Sequence, residues 1–392
     1  MINWDKVKIL HGPTDTAGLA VGLAKAERSI GLNSDAIIYT GSNIGSASSN
    51  NYSFVKNFEI PQKKREFGSA FEYYYVKSLK LINTLPKILP ILMDYDIINL
   101  TFSKSFLTFP IFGNFLHELA YLKQKGKKIF VTYQGCDVRR QDIIGKYPIS
   151  ICQHCDICSN KSLMNLDNSV WAKKKRVKRF EIYADRIFYH NPDLANFINR
   201  GFFRPYSKMD YREWLPEKKQ HEKIVIGHAP VGRGYKGTEI VLNVMNKILK
   251  QRNDVEFVLT ENIPYNKIKQ FYQSLDLYID QLYLGWYGGV GTELMSLEVP
   301  VMTYLRDADF KNVPQELIAN LPIINVNAQT LEEKINYYLD NKEELAILSH
   351  KSREFVQRFH DPLKIAEFMK THYQDVLSGI PERDNYEYIC RI

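Results

Sequence analysis

The sequence predicts an α/β protein of two domains, each built on a parallel sheet that helices cover. Short apolar runs alternate with stretches whose apolar residues recur at helical spacing, which is the order of a parallel sheet with crossover helices. The alternation stops in a polar, proline-containing stretch at 204–221 and begins again at 224. The length of 392 residues also exceeds what one hydrophobic core usually supports. We therefore expect domains at 1–213 and 220–362.

The individual elements follow from the same patterns along the chain. In the first domain a strand at 7–10 leads through a glycine-containing loop into a helix at 19–30, and further strands are expected at 36–39, 97–100, 128–132 and 186–189. In the second domain a strand from 224 precedes a helix at 239–249, with later strands at 256–260, 277–279, 299–303 and 322–326. Residues 345–377 are predicted to form two helices broken near 360–362.

Composition excludes several classes of protein. Hydrophobic residues make up 45% and charged residues 24% of the chain, without a low-complexity tract, so the protein is expected to be globular. No apolar stretch is long enough to span a bilayer. Residues 1–8 are polar and run directly into a strand, so we expect no secretory signal and a cytoplasmic protein.

Charge is unevenly distributed. Residues 1–213 carry 31 Lys and Arg against 19 Asp and Glu, a balance of +12 within a total of +8. The basic residues gather at 123–128 and 173–179, which suits an anionic lipid surface at the inner membrane face or a phosphate-bearing acceptor. The alternative is an ordinary solvated helix face. Nucleic acid is not an expected partner, because these clusters lack interleaved aromatic residues.

A glycine-rich turn at 285–291 is the most informative motif. It follows an apolar run and precedes a helix, and its glycines let backbone amides approach a ligand at the positive end of that helix. Glu293, one turn into the helix, could accept hydrogen bonds from ribose hydroxyls. The turn therefore predicts a nucleotide-diphosphate pocket, whereas the alternative is an ordinary tight strand-to-helix turn.

A second loop supports this interpretation. Arg233 and Lys236 lie among three glycines between a strand and an amphipathic helix. A guanidinium offers a bidentate fork and an ammonium offers a point charge, so together they suit a pyrophosphate. The glycine spacing is not that of a P-loop. The alternative is a solvated basic loop.

These motifs resemble those of GT-B glycosyltransferases, in particular the large retaining family that includes many bacterial polysaccharide and glycolipid enzymes. The donor-half resemblance lies in Gly227-His228-Ala229-Pro230 with Lys236-Gly237-Thr238, and in Asp280-Gln281 with Gly285-Trp286-Tyr287-Gly288. Weaker likenesses lie at 11–18, 135–139, 184–193 and 358–362. The resemblance implies two Rossmann-like domains facing a cleft that holds the active site. It also implies a C-terminal helix, at about 363–392, that returns to the first domain.

The resemblance also implies roles for individual residues. Arg233 and Lys236 would stabilise the charge that develops on the leaving diphosphate. The remaining donor contacts are expected from the backbone amides of the glycine-rich turn and from nearby side chains: Gly288, Gly289, Val290, Glu261, Asp280, Gln281, Trp286, Tyr287 and Glu293. Trp286 and Tyr287 would be pocket walls, or alternatively plain packing.

In the first domain, Gly18 and Asp15 are expected to approach the donor, with Asp137 and Arg139 near the acceptor or the sugar. Asp137 is a candidate catalytic base; the alternative is a structural ion pair with the neighbouring Arg139 or Arg140.

One position departs from the family pattern. The family often carries two glutamates seven residues apart, and the second corresponds to Glu293 whereas the first falls on Gly285. Asp280 is a candidate substitute. We expect a nucleotide-sugar-dependent glycosyltransferase acting on a glycan or lipid-linked acceptor in cell-surface polysaccharide or glycoconjugate synthesis, and the resemblance suggests retention. The missing carboxylate keeps open a catalytically silent nucleotide-sugar binding protein, and the shared loops keep open a GT-B epimerase or phosphorylase.

The cysteines raise a separate question. Cys152, Cys155 and Cys158 lie at three-residue intervals, and Cys136 lies sixteen residues before the first. Four thiolates, or three with His154, could hold a structural zinc ion. In a cytoplasmic protein a metal is favoured over disulfides. Thiols without a metal, or with a redox role, are the alternative, and no catalytic metal is expected.

Overall fold

The computed structural model describes residues 2–40, 52–59, 69–107, 118–155, 169–217 and 222–382. The chain forms two compact units. The first consists of Met1–Arg140, Asn160–Lys208 and Pro362–Ile392, and the second of Gln141–Ser159 and Met209–Asp361. The segment Gln141–Ser159, which the sequence analysis assigned to the first domain, is thus part of the second unit.

The first unit is built on a seven-stranded parallel sheet. In chain order its strands are β1 Lys8–Gly12, β2 Asn33–Thr40, β3 Val55–Glu59, β4 Ile97–Thr101, β5 Lys128–Tyr133, β6 Arg186–Tyr189 and β7 Phe202–Phe203. They lie in the order β3-β2-β1-β4-β5-β6-β7, with parallel pairing throughout. The central strands are buried along almost their whole length, because helices cover a parallel sheet on both faces.

The helices of this unit are α1 Leu19–Ser29, α2 Ala70–Met93, α3 Glu118–Gln124, α5 Val170–Tyr183 and α13 Pro362–Leu377. Helix α13 packs on α1, and the core beside them contains Ile9, Leu23, Phe130, Phe188 and Met369. The C-terminal helix therefore returns to the first unit, as expected.

A buried polar network joins α13 to this sheet. The carboxylate of Glu27 on α1 accepts hydrogen bonds from the hydroxyls of Ser34 and Tyr373, at 2.6 and 2.7 Å. It also lies 2.7 Å from Nε2 of His11 on β1, whose Nδ1 is 3.1 Å from the amide nitrogen of Asn99 on β4. Because buried polar groups are costly unless paired, the network specifies how α13, α1 and three strands fit together.

The second unit is built on a five-stranded parallel sheet. Its strands are β8 Ile224–His228, β9 Val255–Leu259, β10 Leu277–Gly285, β11 Val301–Leu305 and β12 Ile323–Asn325, in the order β12-β11-β10-β8-β9. Its helices are α4 Gln141–Ile144, α6 Arg233–Lys236, α7 Thr238–Gln251, α8 Tyr265–Gln273, α9 Gly289–Ser296, α10 Gln315–Ala319, α11 Leu331–Asp340 and α12 Lys342–Phe359. Its core includes Ile226, Val241, Ile279, Met302 and Ile335, and Ile149 and Ile151 of the Gln141–Ser159 segment pack against it.

The predicted α/β class with two parallel sheets is confirmed. The break between α12 and α13 also lies where it was predicted, since α12 ends at Phe359 and Pro362 begins α13. Strands β3 and β7 were not predicted. In α2 the helix continues through Pro86 and Pro90, which sequence rules treat as breakers. Within the described residues, no helix has both the length and the apolar character needed to cross a membrane.

Candidate functional site

The carboxyl ends of β8 and β10 bring the predicted donor loops of the second unit together. These strands are neighbours in the sheet, and each runs into a loop followed by a helix, α6 after β8 and α9 after β10. In parallel α/β sheets, ligands bind at this edge, where loops and helix N-termini converge.

Lys236 and Asp280 form an ion pair at this edge. Lys236, the last residue of α6, donates to the carboxylate of Asp280, whose side chain is only 2% exposed. Beside them, His228 is buried at the end of β8, where its Nδ1 donates to the Ile279 carbonyl at 2.7 Å and its Nε2 accepts from the Thr238 hydroxyl at 2.9 Å. Burial lowers the pKa of His228, and the charge of Lys236 acts in the same direction. A neutral histidine therefore ties the first residue of α7 to β10.

Arg233 is held by two carboxylates. Its guanidinium donates to Glu239 at 2.7 and 2.9 Å and to Glu261, just beyond β9, at 3.1 Å. The side chain is largely exposed, so these pairs are weak and exchangeable. A diphosphate could replace them as the partner of the guanidinium.

Helix α9 presents its N-terminus at the same edge. Gly288 precedes it with an extended backbone, and a side chain there would meet no neighbouring atom. Because glycine has no side chain to cap the helix, the amides of Gly289 and Val290 are suited to an anion. Glu293 is buried one turn on and accepts a hydrogen bond from the Tyr265 hydroxyl at 3.0 Å.

Three other predicted residues hold the glycine-rich turn at 285–291 in place from inside the second unit. The Gln281 amide donates to the Trp286 carbonyl at 2.9 Å and to the Thr303 hydroxyl at 2.7 Å, and its oxygen accepts from the backbone of Tyr283 at 2.9 Å. Trp286 and Tyr287 are buried, and the Tyr287 hydroxyl is 2.9 Å from Nε2 of His360. In this structure all three side chains shape the turn from inside the unit.

Arg306 occupies the space beside Gly285, where the family pattern places a glutamate. A side chain on Gly285 would bring its first carbon to 2.9 Å from Nη1 of Arg306. The buried guanidinium donates to Asp309 and to the Ile149 carbonyl, both at 3.0 Å, and lies 4.5 Å from the Tyr147 ring centre. Where the resemblance places a carboxylate, this chain therefore has the guanidinium of Arg306, paired with Asp309.

The segment from Tyr147 to Cys155 lies against the donor loops. The ring of His154 stacks on that of Tyr283, near the end of β10, with centroids 3.7 Å apart. The carbonyl oxygen of His154 is 3.0 Å from where a side chain on Gly234 would begin. With the bond from Arg306 to Ile149, these contacts fix the segment to the end of β10, to α6 and to the residue that follows β11.

In the first unit, Asp15 caps a helix. Its Oδ1 accepts hydrogen bonds from the backbone amides of Ala20 and Val21, at 2.9 and 3.3 Å, at the start of α1. Burial raises the pKa of this carboxyl. Gly18 lies at the N-terminus of α1 with φ of 79°, a conformation that favours glycine. Both residues therefore lie at the carboxyl end of β1, where a Rossmann-like unit meets its ligand.

Asp137 and Arg139 have different partners. The Asp137 carboxylate accepts from the Gly135 amide at 2.7 Å, and burial raises its pKa to about 6. Arg139 forms a bidentate ion pair with Asp193, at 2.6 and 3.0 Å. The carboxylate of Asp137 thus closes its own turn, and the ion pair considered from the sequence joins Arg139 to Asp193 instead.

Parts of the two basic clusters are structural. Lys173 is only 1% exposed, and its ammonium donates to the Arg139 carbonyl at 2.7 Å. Lys123 contacts both carboxylate oxygens of Asp185, at 2.7 and 2.8 Å. Lys173 therefore does not belong to a solvated helix face or to a binding surface, and Lys123 is tied to Asp185 by an ion pair.

The cysteine cluster falls partly outside the described residues. Cys136 is exposed in the first unit, and Cys152 and Cys155 are half-buried in the second, whereas Cys158 lies outside the described part of the chain. Within the described ranges, no three His, Cys, Asp or Glu side chains are grouped as metal ligands. The structural zinc site stays a prediction.

Three residues of the site were missed from the sequence, namely His228, Tyr265 and Arg306, and a fourth, His154, was considered only as a zinc ligand. His228 lies within the motif that carries the family resemblance. The signal that could have identified it is a polar residue at the end of a predicted strand. The others act across 28 to 157 residues of sequence. No local pattern reports contacts of that range.

Several solved structures resemble the chain over nearly its full length. Sucrose-phosphate synthase from Thermosynechococcus elongatus has a TM-score of 0.61 at 14% identity, covering 95% of this chain and 100% of that chain. HepE from Anabaena, solved in complex with UDP-glucose, has a TM-score of 0.54 at 11% identity, covering 95% and 99%. The catalytic domain of starch synthase IV from Arabidopsis thaliana, bound to ADP and acarbose, has a TM-score of 0.52 at 12% identity, covering 94% and 99%. No protein-family model matches the sequence, and no curated protein matches it. The chain has the GT-B fold.

Proposed function

We propose that this GT-B protein is a glycosyltransferase that moves a sugar from a nucleoside-diphosphate sugar to a glycan or lipid-linked acceptor. The observation that carries the proposal is the convergence of Arg233, Lys236 and the α9 N-terminus at the carboxyl ends of β8 and β10. Two similar structures were solved with UDP-glucose or with ADP and acarbose, which supports a nucleotide-sugar donor. Cell-surface polysaccharide or glycoconjugate synthesis, in the cytoplasm, is the setting that we propose.

The proposed chemistry is stabilisation of a leaving diphosphate. As the sugar–phosphate bond breaks, negative charge grows on the phosphate oxygens. Lys236 and Arg233 would meet that charge from one side and the amides of Gly289 and Val290 from the other. Glu293, already accepting one hydroxyl hydrogen bond, would accept others from the ribose. Loss of one such cation is expected to cost about 3 kcal/mol of transition-state stabilisation.

The first experiment is a thermal-shift assay with UDP, GDP, ADP and CMP. We expect one nucleoside diphosphate to raise the melting temperature, and Arg233→Ala combined with Lys236→Ala to abolish that shift. The matched control is Arg252→Ala combined with Lys247→Ala. These cations are also ion-paired, but with Asp254, Asp340 and Glu332 away from the loops. A control that loses the shift equally, or a folded wild type that responds to no nucleotide, would contradict the proposed donor pocket.

Turnover distinguishes a transferase from the other candidates. Release of the nucleoside diphosphate that depends on an added acceptor identifies a transferase. Binding without turnover indicates a silent nucleotide-sugar protein, which the side chain missing at Gly285 keeps open. Conversion of the sugar without an acceptor indicates an epimerase.

We propose retention of the anomeric configuration, which the family resemblance implies. Gly285 carries no carboxylate, and Arg306 occupies the space beside it, so Asp280 stays our candidate to replace the missing group. The NMR coupling constant of the anomeric proton in the product distinguishes retention from inversion.

We also propose a structural zinc ion bound by the cysteine cluster and no catalytic metal. Elemental analysis of the purified protein should find about one zinc per chain, as expected for a closed site. A chain without zinc that has an unchanged melting temperature in EDTA would contradict this part of the proposal.

A further inference from the structure

One helix of the first unit carries an exposed apolar stripe. Phe71, Tyr75, Leu79 and Ile82 on α2 are 75%, 54%, 42% and 53% exposed. Their spacing places them on one side of the helix, over a length of about 16 Å. Large apolar side chains exposed singly need no explanation, but a continuous stripe marks a binding surface.

The apolar surface continues into a shallow groove between α2 and α3. The groove has a volume of about 480 Å³ and is lined by Ile82, Leu85, Pro86, Leu89, Pro90, Met93 and Tyr121. Tyr121 belongs to α3, and the ammonium of Lys125 lies 5.5 Å from the centre of its ring. The end of the stripe thus borders on a basic residue.

Helix α5, on which α3 packs, adds aromatic and basic side chains. Trp171 and Ile182 are 61% and 64% exposed, and Lys174, Lys175 and Lys178 lie exposed between them. The ammonium of Lys175 lies 4.3 Å from the Trp171 ring centre. The exposed outer side chains of α2, α3 and α5 named here form what we call the α2–α3–α5 face.

We propose that the α2–α3–α5 face binds the surface of an anionic lipid bilayer. Apolar and aromatic side chains on a surface helix enter the boundary between headgroups and acyl chains. Lysines beside them reach the lipid phosphates while their stems stay in contact with apolar groups. The first 213 residues carry a balance of +12, which gives the complementary charge.

The apolar stripe favours lipid over nucleic acid. A nucleic acid would engage the lysines and stack on Trp171, but Phe71, Leu79 and Ile82 would remain in water. A bilayer covers both groups at once. The inference does not depend on glycosyl transfer, because it concerns exposed side chains on three helices of the first unit.

Co-sedimentation with vesicles, without nucleotide or acceptor, tests the proposal. We expect the protein to bind vesicles containing about a third phosphatidylglycerol and to bind pure phosphatidylcholine much less, with binding weakened at high salt. Lys174→Glu with Lys178→Glu should weaken binding on the order of 30-fold or more, from about fivefold per lysine. Phe71→Ser with Ile82→Ser should weaken it at least about tenfold.

Matched controls come from the second unit. Leu249→Ser with Ile347→Ser removes two exposed apolar side chains, and Lys250→Glu with Lys351→Glu reverses two exposed charges. These variants should bind vesicles like the wild type, and all variants should keep its melting temperature. A wild type that ignores anionic vesicles, or controls that lose binding as much as the face variants, would overturn the proposal. Failure here leaves the nucleotide assay untouched, so the two proposals fail separately.

Discussion

Gly285 and Arg306 depend on each other in this chain. Gly285 has φ of 92°, a conformation that side chains rarely adopt, and the Arg306 guanidinium fills the space in front of it. The guanidinium is held by Asp309 and a backbone carbonyl, so it cannot move aside without losing both partners. A carboxylate at position 285 is therefore incompatible with the local packing, in which the Arg306 guanidinium fills that space.

A glutamate at position 285, which the resemblance suggests, should consequently destabilise the protein. We expect Gly285→Glu to lower the free energy of unfolding by about 2 kcal/mol or more, from backbone strain and from the displaced arginine. Gly288→Ala is the control, because its φ is −104° and its side chain would meet no neighbour; it should stay within about 0.5 kcal/mol. Urea denaturation measures both. Equal stability of Gly285→Glu and wild type would show that the arginine has another place to go.

Asp137 predicts a pH dependence of stability. Its folded pKa of about 6 lies above the ordinary value of 3.8, because burial disfavours the carboxylate. The folded state therefore holds the proton longer than the unfolded state, and stability falls as pH rises between these two values. Relative to Asp137→Asn, the wild type should lose up to roughly 3 kcal/mol between pH 4 and 6 and little beyond.

Denaturation curves of wild type and Asp137→Asn across pH 4 to 8 check this. Asp5→Asn, an exposed carboxyl of the same unit, should follow the wild type throughout. A constant difference between wild type and Asp137→Asn at every pH would contradict the assigned direction.

Residue-level prediction from sequence worked where the signal was local. Glycines, a strand end and two cations within 233–237 led to loops that do converge in the structure. It could not predict the hydrogen bond from Gln281 to Thr303, because these two residues lie on different strands. Nor could it distinguish Lys173, which is buried, from its exposed neighbours in the same basic run.

At the scale of elements, the segment from Tyr147 to Cys155 belongs to the second unit, although it lies between two stretches of chain that belong to the first. Apolar periodicity predicted the main strands and helices because each is a continuous run. It could not place this segment, whose contacts are a ring stack, a carbonyl and two isoleucines packed on a distant core.

Removing one of these contacts should loosen the segment. We expect His154→Ala to speed amide hydrogen exchange across 147–155 and to weaken nucleotide binding roughly 2- to 10-fold, the usual range for one aromatic contact. Lys146→Ala, exposed and nearby, is the control. Tighter nucleotide binding by His154→Ala would mean that the stack blocks the pocket instead of supporting it.

At the scale of the whole molecule, the C-terminal helix is bound through a hydrogen bond to the buried carboxyl group of Glu27. Tyr373→Phe would leave the fully buried Glu27 with one hydrogen bond fewer, at a cost of about 1–3 kcal/mol. We expect the free energy of unfolding to fall by that amount while the shift caused by nucleotide stays the same. Tyr121→Phe, on the surface of the same unit, should change neither.

The fold class and the return of the C-terminal helix were predictable for different reasons. Alternation of strands and helices has few solutions, so the class follows from physics. The return of the helix was predicted from the family resemblance. Its apolar periodicity could not predict where it packs, because an amphipathic helix such as α13 suits any open core. The network that selects its place joins Glu27 to Tyr373, 346 residues apart.

Each unit is built from separate segments of the chain, and this affects how the protein folds during its synthesis. Synthesis proceeds from the first residue, yet the core of the first unit includes Ile365, Phe368 and Tyr373. The second unit, in turn, begins with Gln141–Ser159 and must wait for Met209–Asp361. Neither unit can therefore close early on the ribosome, and the first has to wait until α13 has left the exit tunnel. An unfinished first unit with exposed apolar surface is the kind of nascent chain on which chaperones act.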